Sequence, residues 1–280
     1  MKYAVNLPNF GYYHNPREIA QLAWEAENAG WDGFFLWDHL TFMRGVDVPF
    51  LDPFIALAAI AMKTEEIKIG TVITPIPRRR PWKLARETTS LDHLSDGRLI
   101  LGVGIGNPDS EFTSFGEEVN PIIRAKKLDE GLEILIGLWS GKTFKFKGEH
   151  YQIKRIKFLP TPVNGHIPIW VAGMWPKKKP FIRAAKFDGS CPIHINWPNQ
   201  LSPNEIKEIL SFIKQHRTKT SSFDILIGGD TPGDPKKGSE ILKPYVEAGV
   251  TWWSENINAL RFNNSSEKML ERIRQGPPKK

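Results

Sequence analysis

Cysteine is almost absent: Cys191 is the single cysteine among 280 residues. That excludes an internal disulfide, a cysteine metal cluster and a paired redox motif, and it fits a reducing compartment. Long apolar runs are lacking too, with nothing near the ~18 consecutive apolar residues of a membrane-spanning helix. The opening MKYAVNLPNF reads as a strand rather than a basic-then-apolar leader, so a cytoplasmic protein with no membrane partner is expected. The seven histidines are scattered, without i, i+4 pairing or carboxylate companions, and no metal is expected. No G-x-S-x-G nucleophile elbow occurs. Gly102-Val103-Gly104-Ile105-Gly106 misses the dinucleotide fingerprint, which needs G-x-G-x-x-G opening a helix.

What is present begins with charge. The formal net charge is +7, with clusters at Arg78-Arg79-Arg80 and Lys177-Lys178-Lys179. Each cluster lies in a loop beside prolines, not along one amphipathic stripe. Solvated loop surface and local capture of a small anion both remain open, and no nucleic-acid motif accompanies them, so nucleic acid is not an expected partner.

Periodicity supplies the fold. Ile67–Gly106 reads as strand, turn, helix, turn and strand, ending in a glycine-rich exit. A unit of this size requires a parallel pair with a right-handed crossover. Further apolar runs at Tyr3–Leu7, Asp32–Trp37, Ile167–Ala172, Asp188–Ile193, Phe223–Gly228 and Val250–Ser254 alternate with helical patterns. Asn15-Pro16-Arg17-Glu18 and Ser202-Pro203-Asn204-Glu205 open two of the helices with a capping residue and a proline. Residues 141–167 break the rhythm and read as an inserted hairpin. Eight strand–helix units predict a (β/α)8 TIM barrel, one domain over residues 1–280.

In such a barrel the chemistry sits where strands end. Asp38-His39 ends the second strand and is the best acid–base candidate, because histidine exchanges protons near neutrality. Thr71–Pro75 and Gly104–Asn107 end the central pair. Glycines there permit either close approach to a flat ligand or tight packing at the mouth. Ala172-Gly173-Met174-Trp175-Pro176-Lys177 reads as a strand end entering a helix, which is an anion site or an ordinary capped helix. Of Trp252 and Trp253, alternation sends one into the lumen and the other toward the helices.

The pattern resembles the luciferase-like flavin-dependent oxidoreductase superfamily. The resemblance rests on LWDHL (36–40), the run from IGTVITP to GVGIG (69–106), EF..FG (111–116), R...LDE (124–130), LW.G (138–141), GEHY (148–151), IPIWVAG (167–173) and AAKFDG (184–189). It implies FMN, or its deazaflavin relative coenzyme F420, bound at the C-terminal mouth. His39 then corresponds to the active-site histidine, with Asp38 orienting or tuning it. Thr71, Val72 and Ile73 would support the ring, with the Val72–Ile73 peptide cis, beside Gly104, Gly106 and Asn107. Arg124, with Ala172, Gly173, Met174, Trp175 and Lys177, would hold a cofactor phosphate.

Some features depart from the family. F420-dependent sugar-phosphate dehydrogenases of the superfamily place a glutamate where Asn107 stands, and luciferase has a charged residue near Ile105. Neither light emission nor sugar oxidation is therefore expected; His39 and the anion turn point to a monooxygenase using reduced FMN and O2 on a small organic substrate. Hydride transfer with F420 and non-catalytic flavin binding are the alternatives. A flavin reductase supplying reduced FMN and a homodimer are the implied partners. Substrate choice would fall to loops 40–52, 107–123 and 194–202, whose Phe42, Phe50, Phe112, Phe115 and Trp197 suggest a pocket that is not strongly polar.

Overall fold

β-Branched and aromatic runs, flanked by turn residues, become strands because they can be covered on both faces. In the computed structural model they are β1 (Lys2–Leu7), β2 (Gly33–Leu36), β3 (Lys68–Pro75), β4 (Leu99–Gly104), β7 (Ile169–Trp175), β8 (Gly189–His194), β9 (Asp224–Gly229) and β10 (Trp252–Asn256). They close into a parallel barrel in which β1 pairs with both β2 and β10. This is the expected (β/α)8 architecture. The structure describes residues 1–41 and 47–278, so Phe42 and Met43 of the aromatic loop lie outside the described residues.

Around the barrel run α1 (Pro16–Asn28), α2 (Pro53–Lys63), α3 (Pro81–Leu94), α5 (Pro121–Trp139), α6 (Lys179–Ala184), α7 (Pro203–His216), α8 (Pro235–Ala248) and α9 (Ser266–Arg274). A single turn, α4 (Ser110–Thr113), precedes α5. The inserted segment is an antiparallel hairpin, β5 (Thr143–Lys147) with β6 (Gln152–Lys157), outside the barrel. Asn15 caps α1 by accepting from the Arg17 N–H, and Ser202 with Glu205 closes a full capping box on α7. Among the described residues, no helix is long and apolar enough to cross a membrane.

Strand alternation divides the core in two. Outward residues pack under the helices, Trp253 among them beside Ile206, Ile209 and Leu242. Inward residues form the plug of Ala4, Phe35, Ile100, Trp170, Cys191, Leu226 and Trp252, one from each of seven strands. Trp170 and Trp252 meet edge-on with ring centroids 5.4 Å apart. They fit because facing positions are glycine: a Cβ on Gly189 would lie 2.3 Å from Trp170 Cδ1. Val72 and Ala172 rest on the plug and floor the C-terminal mouth.

Two boundaries depart from the sequence reading, and both bear on the site. β3 runs on to Pro75 and is followed by a 3-10 turn, Ile76–Arg78. β7 continues through Gly173, Met174 and Trp175, which pair with Pro192, Ile193 and His194 of β8. The helix expected from about Pro176 to Lys186 is only the six residues of α6.

Candidate active site at the barrel mouth

His39 follows β2 and is held from three directions. The Asn9 side chain, fully buried, clamps its backbone: Oδ1 accepts from His39 N at 3.0 Å, and Nδ2 donates to His39 O at 2.8 Å. The edges of Phe10 and Trp37 lie against the imidazole, with centroids 6.0 and 5.7 Å away. Nδ1 stands 3.1 Å from Glu111 Oε2, while the imidazole keeps 16% of its surface exposed.

Glu111 comes from α4 and is fully buried. Its Oε1 accepts from the N–H groups of Leu40 and Thr41, at 2.8 and 2.9 Å. Its Oε2 accepts from Arg78 at 2.8 Å. Burial alone would raise this carboxyl. The hydrogen bond and charge of His39, the charge of Arg78 and the Thr41 N–H outweigh burial and hold it below the usual carboxylate range. An ionised carboxylate only accepts, so the His39 Nδ1 carries a proton toward it and Nε2 is left as the ring's acceptor.

Asp38 does something other than orient His39. Its carboxylate, 1% exposed, is gripped by Arg79 through Nε at 3.2 Å and Nη2 at 2.8 Å, and by Arg78 Nη2 at 3.3 Å. Glu111 takes the orienting position instead. From the sequence Asp38 is expected to orient or tune the histidine; two guanidiniums occupy its oxygens, and one of them, Arg78, also holds Glu111. Arg78 and Arg79, read as loop surface or anion capture, are the counter-ions of this buried cluster.

The neighbouring wall comes from the central unit. The Val72–Ile73 peptide is cis. Pairing between β3 and β4 slips by one residue here, from Thr71↔Leu101 to Thr74↔Val103. The extra residue turns Ile73 over the glycines of β4: a Cβ on Gly104 would lie 2.2 Å from Ile73 Cδ1. The Thr71 hydroxyl is engaged beneath the surface, where it pairs with Thr74 at 2.8 Å. Gly106 has φ +87° and packs on Phe112, and Asn107 is exposed ahead of a cis proline, Pro108.

Arg124 projects from α5 over Phe112, 4.3 Å from the ring centroid. It donates to Asp109 at 2.6 Å and to Gly106 O at 3.3 Å, and its buried Nε has no partner. On β7, alternation places Ala172 and Met174 on the lumen side above Trp170. Gly173 and Trp175 face the other way, Gly173 against Pro180 and Trp175 against Phe181 and Lys178. Lys177 is exposed. The proposed phosphate turn at Gly173–Lys177 is thus corrected, because strand rather than helix start occupies 173–175 and half its side chains point outward.

The sequence profile of the family described as luciferase-like monooxygenase matches residues 1–222. The chain belongs to the luciferase-like monooxygenase family. Within it, the chain is 32% identical over 181 residues to an F420-dependent glucose-6-phosphate dehydrogenase of Amycolatopsis mediterranei, covering 62% of this chain and 51% of that one. It thus spans about half the length of the curated relatives it matches. Among solved structures, a coenzyme F420-dependent tetrahydromethanopterin reductase from Methanopyrus kandleri superposes with TM-score 0.76 at 17% identity, covering 99% of this chain and 98% of that one. A monooxygenase from Streptomyces bottropensis superposes with TM-score 0.68 at 21% identity, covering 99% and 84%. These two likenesses carry the luciferase-like barrel alone.

Proposed function

We propose that this luciferase-like oxidoreductase uses coenzyme F420 to transfer hydride to or from a small organic substrate, with His39 as the acid–base group. The observation that carries the reading is the His39–Glu111–Arg78 arrangement at the open end of the lumen. It places an imidazole at the same end of the barrel as the apolar floor of Val72, Ile73, Gly104 and Ala172. We read that floor, with Ile73 packed over Gly104, as the seat of a planar tricyclic ring. Arg124, with an unpartnered buried Nε, suits the anionic end of such a cofactor. Relatives at 32% identity named F420-dependent dehydrogenases support F420 over FMN.

When bound, the deazaflavin supplies a two-electron hydride couple. The rest falls to the protein. His39 Nε2 accepts the proton of a substrate hydroxyl as hydride leaves carbon, or returns it in the reverse direction. Glu111 keeps Nδ1 protonated and the ring oriented, and Arg78 keeps Glu111 ionised. Phe10, Trp37 and Phe50 wall the histidine from water on one side. Sugar-phosphate oxidation is not carried over, because Asn107 stands where those dehydrogenases have an acidic residue.

A second reading, oxygenation with reduced FMN supplied by a reductase, is favoured by the family description itself. Titration of the purified protein with each cofactor, followed by absorbance and fluorescence, separates the two. Micromolar binding of F420 with none of FMN is the expected result, and the reverse would overturn the F420 reading.

A further inference from the structure

Across the mouth from the apolar floor, the ends of β1, β9 and β10 carry a line of polar side chains. Alternation from the lumen residues Ala4, Leu226 and Trp252 places Asn6, Gly228, Ser254 and Asn256 on the inner face. Trp37 Nε1 donates to Asn6 Oδ1 at 2.9 Å. Asn6 Nδ2 donates to Asn256 Oδ1 at 3.3 Å, and Asn256 Nδ2 donates to Asp230 Oδ1 at 3.1 Å. The direction of this chain is forced at both ends, because an indole can only donate and a carboxylate only accept. Neither amide can flip without setting like against like.

Each amide nitrogen therefore spends one hydrogen along the chain and keeps a second. Asn6 is 8% exposed, so its spare N–H has little access to bulk water. Ser254, two residues before Asn256 on the same face, has a buried hydroxyl with no partner. Beside them is space: a Cβ added to Gly228 would find its nearest neighbours at 3.5 and 3.7 Å, ordinary contact, whereas one on Gly102 or Gly104 would collide at 2.2 Å. The indole of Trp37 links this ledge to His39, 5.7 Å between ring centroids.

We propose that Asn6, Asn256 and Ser254, around the space at Gly228, form a subsite that binds a substrate oxygen. It selects small neutral compounds bearing a carbonyl or hydroxyl group over hydrocarbons. The amides give two N–H donors from a preoriented chain, and Ser254 and Asp230 accept from a hydroxyl. A hydrocarbon would leave the buried N–H and O–H groups unpaired at a cost water does not impose, and such sites discriminate strongly. The inference deepens the hydride-transfer reading and rests on its placing substrate at this mouth.

The test uses the 15N-labelled full chain, with and without F420, titrated with acetone, propane-1,2-diol and cyclopentane. Saturable shifts of the Asn6 and Asn256 side-chain amide signals are expected with the two oxygen-bearing probes and not with cyclopentane. Gly228→Val should fold as the parent does, since its Cβ has room, yet weaken both oxygen-bearing probes at least tenfold while F420 titration is unchanged. Probes that perturb His39 but leave both amides unmoved, or bind Gly228→Val as tightly as the parent, would overturn the subsite. Failure of F420 to bind while the amides still respond would overturn the cofactor reading and leave the subsite standing.

Discussion

The acid–base role proposed for His39 rests on the residues that surround it rather than on its own position alone. Replacing it tests that directly: His39→Ala should lower turnover by about 10²–10⁴-fold, the usual worth of a positioned acid–base group, with F420 binding retained by absorbance titration. Unchanged turnover would favour the non-catalytic flavin-binding alternative. Glu111 is the more informative position. Its folded-state carboxyl lies below the ordinary carboxylate range, so the stability it contributes is present above its unfolded pKa of about 4.3 and disappears as pH falls through the depressed folded value. Glu111→Gln should cost about 3 kcal/mol in urea unfolding at pH 7, because it leaves Arg78 and the His39 Nδ1–H facing a neutral amide in a buried site. The gap between parent and variant should close as the pH is lowered below 4; a constant gap would mean that packing, not charge, is what Glu111 supplies.

At the scale of elements, β3 and β4 show how one register slip shapes the floor of the mouth. The extra residue on β3 turns Ile73 inward, and the glycines of β4 leave it room. The two glycines should nevertheless respond differently to the same change. In Gly102→Ala the new methyl meets the Thr71 carbonyl at 2.2 Å, and backbone in a closed barrel has nowhere to go. A loss of about 1–3 kcal/mol is expected by urea unfolding. In Gly104→Ala the obstacle is the mobile end of Ile73, which can swing toward the mouth. Stability should then change by less than about 1 kcal/mol, while cofactor affinity falls as Ile73 enters the ring space. Equal effects of the two substitutions on cofactor binding would argue against the floor.

Taken whole, the molecule is a barrel fastened at its last strand. Glu255, fully buried at the end of β10, accepts from Thr231 N at 2.9 Å, Thr231 Oγ1 at 2.7 Å and Trp253 Nε1 at 3.0 Å. It also pairs with Arg261 at 2.7 Å and with Arg272 of α9 at 3.4 Å. Burial draws the Arg272 guanidinium down from its ordinary range, against the opposing pull of Glu255. This network joins the β9–α8 connection, β10 and the final helix, on the side of the mouth away from Glu111. Arg272→Met should lower unfolding free energy by about 3 kcal/mol in urea, because Glu255 is left under-compensated in a buried site. F420 affinity should be unchanged at 25 °C, where the variant remains folded; a parallel loss of affinity would show that α9 shapes the mouth.

The sequence by itself determined the architecture and named candidate residues at the strand ends. Alternating strand and helix periods specified eight βα units, the hairpin between 141 and 167, and the opposite facing of Trp252 and Trp253, because these follow from local repeat and from which face must be buried. It also placed His39 at a strand end. Only the tertiary structure decided what His39 touches. Glu111 lies 72 residues away and reaches it through a single helical turn, and Arg78 arrives through a 3-10 turn beyond a strand that outran its predicted end. No local pattern encodes such contacts, since they exist only once barrel closure brings successive loops to one rim. The same closure kept Gly173–Trp175 in a strand, where pairing with β8 satisfied backbone groups that a helix start would have left open. It also gathered Asn6, Gly228, Ser254 and Asn256, from opposite ends of the chain, onto one face.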